Sequence, residues 1–469
     1  MQKPLFIKLT NLILVVLLFS LAVSALILFY QKSYLAGFIM LLGAGFLALT
    51  LRWSDFAKVA LILVCLFIYL TAYLTNVVLI FLEPQFTNSY VQRLHAARKL
   101  KVPYDTRTPL QVVADLEARG VEAVPTLTPF NLVLTGKTLP APGGRLLPLA
   151  GIAGKTTVFC NECGNYAIYQ ADIRGFNNPP GVWTQAPLDI LIVGDSFSHG
   201  ACVPPGKDVG SLLRQGGKKV LNLGYGGNGP LLELAGLREY GPALKPRVVL
   251  WIYYEGNDLT DLAKEKKSSI LTRYLQDASY SQDLLHRQGA INRGWSAYLK
   301  TSQEHAKKEN RLWYYHHRGL LEFLRSFQLK KLKQTLRKAQ SSLKEYLSQE
   351  NVRSFKKVLA NAQIMVRSWG GKLYFVYLPS YYRFSGKAQA YPLNQRRRII
   401  AIVHSLGIPL IDFSPTLKRL PDPLAAFPFR TNGHYTPKGY KLLARQIIQS
   451  LPHASPAGVA HARGERARP

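Results

Sequence analysis

Hydrophobic positions along this chain follow two regimes. Before about residue 84 they form long unbroken runs at 12–30, 34–51 and 57–82, with almost no charge inside them. At 1.5 Å per residue, runs of this length match a hydrocarbon core of roughly 30 Å. About three transmembrane helices are therefore expected over 1–84. Lys32, Arg52, Asp55 and Lys58 lie between these runs or at their ends. An Ala-Val-Ser-Ala stretch at 22–25 has the look of a leader-cleavage site. The apolar run continues past it and two more follow, so a retained span is expected. Lys3 and Lys8 precede the first run, and Arg52 and Lys58 sit at the second connection, whereas Lys32 stands alone at the first. The positive-inside bias then puts the N-terminus in the cytoplasm and everything after residue 84 on the far, periplasmic side.

From residue 187 the pattern changes. Short apolar runs of the kind buried on both faces of a sheet occur at 188–194, 220–224, 247–254, 373–379 and 408–413. Helical periodicity separates them at 230–240, 353–369, 393–406 and 437–450. Strands alternating with helices imply right-handed crossovers and a parallel sheet covered on both faces. Ligands of such sheets bind beyond the carboxyl ends of the strands. One insertion, about 259–352, interrupts the alternation. Within 295–370 there are 16 Lys or Arg against 5 Glu, and Leu329, Leu332, Leu336, Ala339, Leu343 and Leu347 recur at helical steps. This reads as a basic amphipathic helix, lying either on the core or against a membrane surface or polyanion. Residues 85–186 read as a juxtamembrane α+β appendage with no assigned chemistry. One helix is expected there, from Leu110, Val113 and Leu116 to a stop at Gly120. The Ala/Gly/Arg/Pro tail over 453–469 reads as disordered.

Charge narrows the partners. The chain carries 59 Lys and Arg against 27 Asp and Glu, a net +32. No zinc-finger spacing or RNA-recognition signature accompanies this balance, and an outward-facing domain meets no nucleic acid. Anionic lipid headgroups or an acidic polysaccharide fit better. Of four cysteines, Cys65 lies in an apolar run, Cys160 and Cys163 form Cys-Asn-Glu-Cys, and Cys202 stands apart. A single C-x-x-C is a poor zinc site. Cys160 and Cys163 are read as a short disulfide or as two thiols, and no metal or cofactor is called for.

Four strand ends carry polar blocks: Gly194-Asp195-Ser196 in GDSFSHG, Gly226-Gly227-Asn228 in NLGYGGNGP, Glu255-Gly256-Asn257-Asp258, and Asn432-Gly433-His434 in NGHYTPKGY. A serine needs a base to become a nucleophile, and His434 is the one histidine at such a strand end. An oxyanion needs donors, which the N–H groups of Ser196 and Gly227 and the Asn257 amide can supply.

Over about 187–452 these ordered blocks resemble the SGNH hydrolases, the GDSL esterase/lipase superfamily. The resemblance implies a flavodoxin-like three-layer α/β/α domain with a parallel sheet. It also implies Ser196 as nucleophile, Gly227 and Asn257 as oxyanion hole, His434 as base, and cleavage or transfer of acyl esters. Anchored in a bilayer and facing outward, such a domain is expected to act on acyl, above all acetyl, esters of cell-envelope glycans. A lipid or short-chain ester is the rival substrate, and a non-catalytic polysaccharide-binding scaffold is the rival role. The family usually places an aspartate two or three residues before the histidine, where this chain has Asn432 and Thr431. Three arrangements stay open: Asp412 or Asp422 orients His434; Asn432 or a backbone carbonyl does so in a Ser-His dyad; or the site only binds.

Overall fold

The computed structural model describes residues 5–30, 34–87, 89–185, 187–310, 348–386 and 394–452. The expected amphipathic stretch from Leu329 to Leu347 and the tail from 453 onward lie outside the described residues. The chain divides at Pro84 into two compact units.

In the first unit the apolar runs form the helices Leu5–Tyr30, Tyr34–Thr50 and Asp55–Thr87. Two of them contain stretches long and apolar enough to cross a membrane, Ile7–Ser24 and Asp55–Asn76; the apolar stretch Met40–Thr50 of the middle helix is shorter. The expected count of three thus becomes two full-length spans among the described residues. Their flanks expose large apolar side chains such as Phe19, Phe46 and Phe67, which water does not favour.

Among its described residues the second unit contains ten short strands: β1 (Ala123–Pro125), β2 (Leu139–Ala141), β3 (Gly144–Leu146), β4 (Thr156–Val158), β5 (Ile168–Gln170), β6 (Ile190–Gly194), β7 (Val220–Asn222), β8 (Val248–Tyr254), β9 (Lys372–Leu378) and β10 (Leu410–Asp412). The last five form one sheet in the order β10-β9-β8-β6-β7, parallel throughout. This is the flavodoxin-like order, with its switch point between β6 and β8. Alternation along each strand builds two cores. Leu191, Val193, Val249, Trp251, Phe375 and Tyr377 face one side, against the helices Pro230–Leu244, Gln349–Ser368 and Asn394–Ser405. Ile190, Ile192, Leu250, Ile252, Val376 and Leu378 face the other, against Val209–Gln215 and Pro437–Ser450. The fold is therefore a three-layer α/β/α sandwich.

Residues 85–186 pack closely on the sheet domain that follows. Leu127, Phe130, Leu132, Leu139, Leu149 and Phe176 share one apolar core with Leu234, Trp251 and Tyr253. The helix expected over 110–116 is present as Pro109–Glu117, closed at its start by a Thr108–Gln111 capping box. β4 and β5 pair antiparallel, and Phe159 and Ala167 extend their hydrogen bonding. Residues 160–166 are consequently the loop of a hairpin.

Strand β6 must come close to its neighbours where it ends. A Cβ on Gly194 would lie 2.0 Å from Ser198 Oγ and 2.8 Å from the Ile252 carbonyl oxygen. Gly194→Ala is expected to destabilise the domain by about 1–3 kcal/mol or more through overpacking, measurable as a fall in the denaturant midpoint at unchanged slope.

Candidate active site

Asp195 follows β6 and caps the single turn Ser196–His199, accepting the Phe197 N–H at 2.9 Å. This turn presents Ser196 at the carboxyl edge of the sheet, beside the switch point. Its Phe197 ring packs on Tyr254 at 4.1 Å, His434 at 4.8 Å and Tyr435 at 4.9 Å. The serine turn, the end of β8 and the histidine loop are thereby joined through one aromatic cluster. Tyr435 is buried and donates its hydroxyl to the Pro379 carbonyl at 2.8 Å, and Thr436 caps the helix that follows.

His434 Nε2 lies 2.8 Å from Ser196 Oγ. On its other side, Nδ1 lies 3.1 Å from Glu162 Oε2, and the same oxygen accepts the His434 backbone N–H at 2.7 Å. Glu162 sits in the β4–β5 hairpin loop. Its second oxygen meets Arg93 Nη1 at 3.3 Å, and that nitrogen also donates to the Asn432 carbonyl at 3.0 Å. Arg93 comes from the helix Ser89–Lys99.

The side chain beside His434 Nδ1 is thus Glu162, and not Asp412, Asp422 or Asn432. Asp412 is paired with Arg396 and accepts the Ser414 N–H. Asp422 is paired with Arg430 and caps the turn that begins at Pro423. Asn432 contributes its carbonyl to Arg93 and lines the cavity. The cysteine reading also changes: the disulfide joins Cys160 to Cys202, and Cys163 is a free thiol. Glu162 and Arg93 were missed because they lie far upstream of the family-like blocks. The available signal was an acid between two cysteines, with a third cysteine six residues beyond Ser196.

The pieces surround a cavity of about 430 Å³, with Arg93, Ser196, Tyr254, Asn257, Tyr382 and His434 in its wall. Asn257 precedes the helix Asp258–Glu265 and donates its amide to Asp261 at 2.7 Å. Gly227 is not in the wall. It has φ +82°, and a Cβ there would meet Thr128 Cγ2 at 3.0 Å and Phe130 Cβ at 3.1 Å. The adjacent N–H groups are committed, Gly226 to His199 Nδ1 and Asn228 to the Tyr225 carbonyl.

Electrostatics separate the acids. Burial alone would raise the Glu162 pKa. The His434 charge and hydrogen bonds, helped by Arg93, outweigh burial and hold it at about 2. Burial would lower His434, but Glu162 and then Asp195 raise it above 6.5 against the opposing Arg93. Asp195 is pushed up to about 6 by burial. His199 is pushed down to about 3 by burial. It bonds Tyr169 and Gly226 and stacks between Phe159 and Tyr225, so it is a neutral structural histidine. Glu162, Cys202 and His434 lie near one another, but the Cys202 sulfur is spent in the disulfide and offers no thiolate to a metal.

No protein-family model matches the chain, and no curated protein does. Among solved structures, a lipolytic protein of the G-D-S-L family from Desulfitobacterium hafniense is 12% identical, with 56% of this chain and 99% of that one covered and a TM-score of 0.31. A lipase/acylhydrolase from Enterococcus faecalis is 15% identical, with 56% and 94% covered and a TM-score of 0.30. A catalytic mutant of an acetylxylan esterase from Geobacillus stearothermophilus is 14% identical, with 56% and 93% covered and a TM-score of 0.28. In this chain itself, the sheet order and the polar blocks at 194–196, 255–258 and 432–434 bring Ser196, Asn257 and His434 to one cavity. In that layout it resembles the SGNH hydrolases. It differs in that the carboxylate beside the histidine, Glu162, comes from a hairpin upstream of the serine.

A base must be neutral to accept a proton, so turnover of an activated ester should rise with pH through the raised His434 pKa. Glu162→Gln removes the group that raises it. The acid limb should then move to lower pH, and turnover should fall by up to about 10⁴, the loss seen when a serine-protease triad acid is made neutral. A kcat–pH profile of both proteins checks this. The depressed Glu162 pKa also stabilises the fold above its ordinary value near 4.5, and this contribution should fade as pH falls towards about 2.

Proposed function

We propose that this chain is a membrane-anchored serine ester hydrolase or O-acyltransferase of the SGNH type, acting on short acyl esters, chiefly acetyl, of cell-envelope glycans. The observation that carries the reading is the continuous Ser196–His434–Glu162 relay at the carboxyl edge of the sheet. In the proposed reaction Ser196 Oγ attacks the ester carbonyl while His434 Nε2 takes its proton, and Glu162 keeps the other proton on Nδ1 and stabilises the imidazolium. The Ser196 N–H and the Asn257 amide, both at the cavity wall, serve the oxyanion, and Gly227, which is not in that wall, is left out of this role. His434 returns the proton to the leaving alcohol. Water then releases the acyl group as acid, or a sugar hydroxyl takes it as a new ester.

The acid partner of His434 favours catalysis over a scaffold that merely binds. The cavity favours a small acyl group on a polar carrier, because Arg93, Ser380 and Asn432 share its wall with the tyrosine rings. The two long apolar helices support anchoring in a bilayer. The disulfide supports an oxidising, extracytoplasmic setting for the site.

Ser196→Ala is expected to abolish both p-nitrophenyl acetate hydrolysis and fluorophosphonate labelling; wild-type turnover in that variant would sink the assignment. Asn257→Ala should lower kcat by about 10²–10³ with little change in KM, as for a lost oxyanion donor. Acetylated glycans should be turned over faster than long-chain acyl esters, as read from acetate release.

A further inference from the structure

The Glu162 loop is attached to the rest of the domain in an unusual way. Cys160, two residues before Glu162, is bonded to Cys202, six residues after Ser196, across a sequence separation of 42. The bridge therefore ties the hairpin that carries the acid to the segment that follows the nucleophile turn. It also lies at the triad itself, with Cys202 Sγ 4.0 Å from His434 Nδ1. Cys202 is held in the left-handed region at φ +61°, which a non-glycine residue keeps only when its surroundings fix it. The loop is also held by hydrogen bonds from Asn161 to the Asp105 carbonyl at 2.9 Å, Tyr104 to the Asn161 carbonyl at 3.1 Å, Tyr166 to the Arg107 carbonyl at 2.6 Å and Asp105 to the Gly164 carbonyl, and by the Arg93–Glu162 pair, but the bridge is its one covalent tie to the nucleophile segment. The third cysteine does not compete for the bridge. Burial, and then the Glu162 charge, push the Cys163 thiol up to about 12, so it lacks the thiolate needed for exchange.

We infer that the Cys160–Cys202 disulfide is a positioning element of the active site: it sets the Glu162 carboxylate against His434, and the site works at full rate only when the bridge is formed. The inference rests on the serine-esterase reading for its kinetic consequence, though not for its geometry. A dithiol reductant would open the bridge by giving two electrons and two protons, leaving Cys160 and Cys202 as thiols and closing to its own cyclic disulfide. The reverse oxidation rebuilds the site. A chain still in a reducing compartment would then hold its ester chemistry in a low-activity form, and exposure to an oxidising one would complete it. Reduction should act through His434, which is faced by Glu162 from the hairpin, Asp195 from the end of β6 and Arg93 from the helix before the hairpin.

The test uses the full chain in detergent micelles: oxidised, reduced with dithiothreitol, reoxidised, and as the Cys160→Ser/Cys202→Ser and Cys163→Ser variants. Two readouts are taken. One is kcat and KM for p-nitrophenyl acetate across pH. The other is the pH midpoint of His434 carbethoxylation by diethyl pyrocarbonate, followed by peptide mass spectrometry. Opening the bridge is expected to lower kcat by about tenfold or more with KM changed by less than about twofold, the pattern of a misplaced catalytic group. It should also move the His434 midpoint to lower pH, with both effects reversed on reoxidation and absent in Cys163→Ser. An unchanged kcat and an unchanged midpoint in the reduced chain would overturn the inference. If the double variant fails to melt cooperatively, reduction and reoxidation of the wild-type chain still decide. If the oxidised chain hydrolyses no ester, the functional reading fails, while the midpoint still tests the positioning role.

Discussion

The site depends on one carboxylate remaining ionised while largely out of water. An isolated buried acid is driven towards its neutral form, and this domain is crowded with examples. Glu233 and Asp258 are raised well above the ordinary range by burial first and by neighbouring carboxyls next, and Glu265 is pushed up to about 8. Glu162 goes the other way because it meets His434 on one oxygen and Arg93 on the other. Two environments that push similar groups apart mark which of them can stabilise an imidazolium. The same pairing explains why the Asn432 position tolerates a neutral residue: its carbonyl serves Arg93, and the charge comes from elsewhere.

The sheet explains why these parts converge. Parallel strands send all their carboxyl ends to one edge, and the order β10-β9-β8-β6-β7 opens a crevice between β6 and β8. Ser196 follows the first of these strands and Asn257 the second. The histidine arrives from the loop before the last helix and is clamped through Phe197 and Tyr435. Glu255 strengthens the same edge by accepting the Ser380 N–H at 2.7 Å and pairing with Arg383, which fixes the loop that brings Tyr382 to the cavity. Residues 85–186 complete the edge from outside the sheet, since they bring both Arg93 and Glu162.

Much of this was legible along the chain, and the reason is periodicity. Five continuous apolar runs separated by helical repeats specify a parallel sheet with two covered faces, because each strand must bury both sides. The polar blocks at the strand ends name Ser196, Asn257 and His434 as neighbours, because parallel topology leaves few places for them. Three long apolar runs at the start likewise require helices, and two of these have the length of a membrane span.

What only the tertiary structure decided is the partner of His434. No periodicity links residue 162 to residue 434; their meeting depends on how the 156–170 hairpin folds back across the sheet edge and on which of three cysteines Cys160 joins. Sequence alone left Cys160 and Cys163 as a short disulfide or as two thiols, and left Asn432, a backbone carbonyl, Asp412 or Asp422 for the imidazole. Packing chose otherwise, because a hydrogen-bonded acid must be close in space, and closeness in sequence supplies that only within a single turn or loop. The sequence placed a serine, an asparagine and a histidine at strand ends that share one edge; the three-dimensional path of the chain determined that a glutamate 272 residues away would meet that histidine.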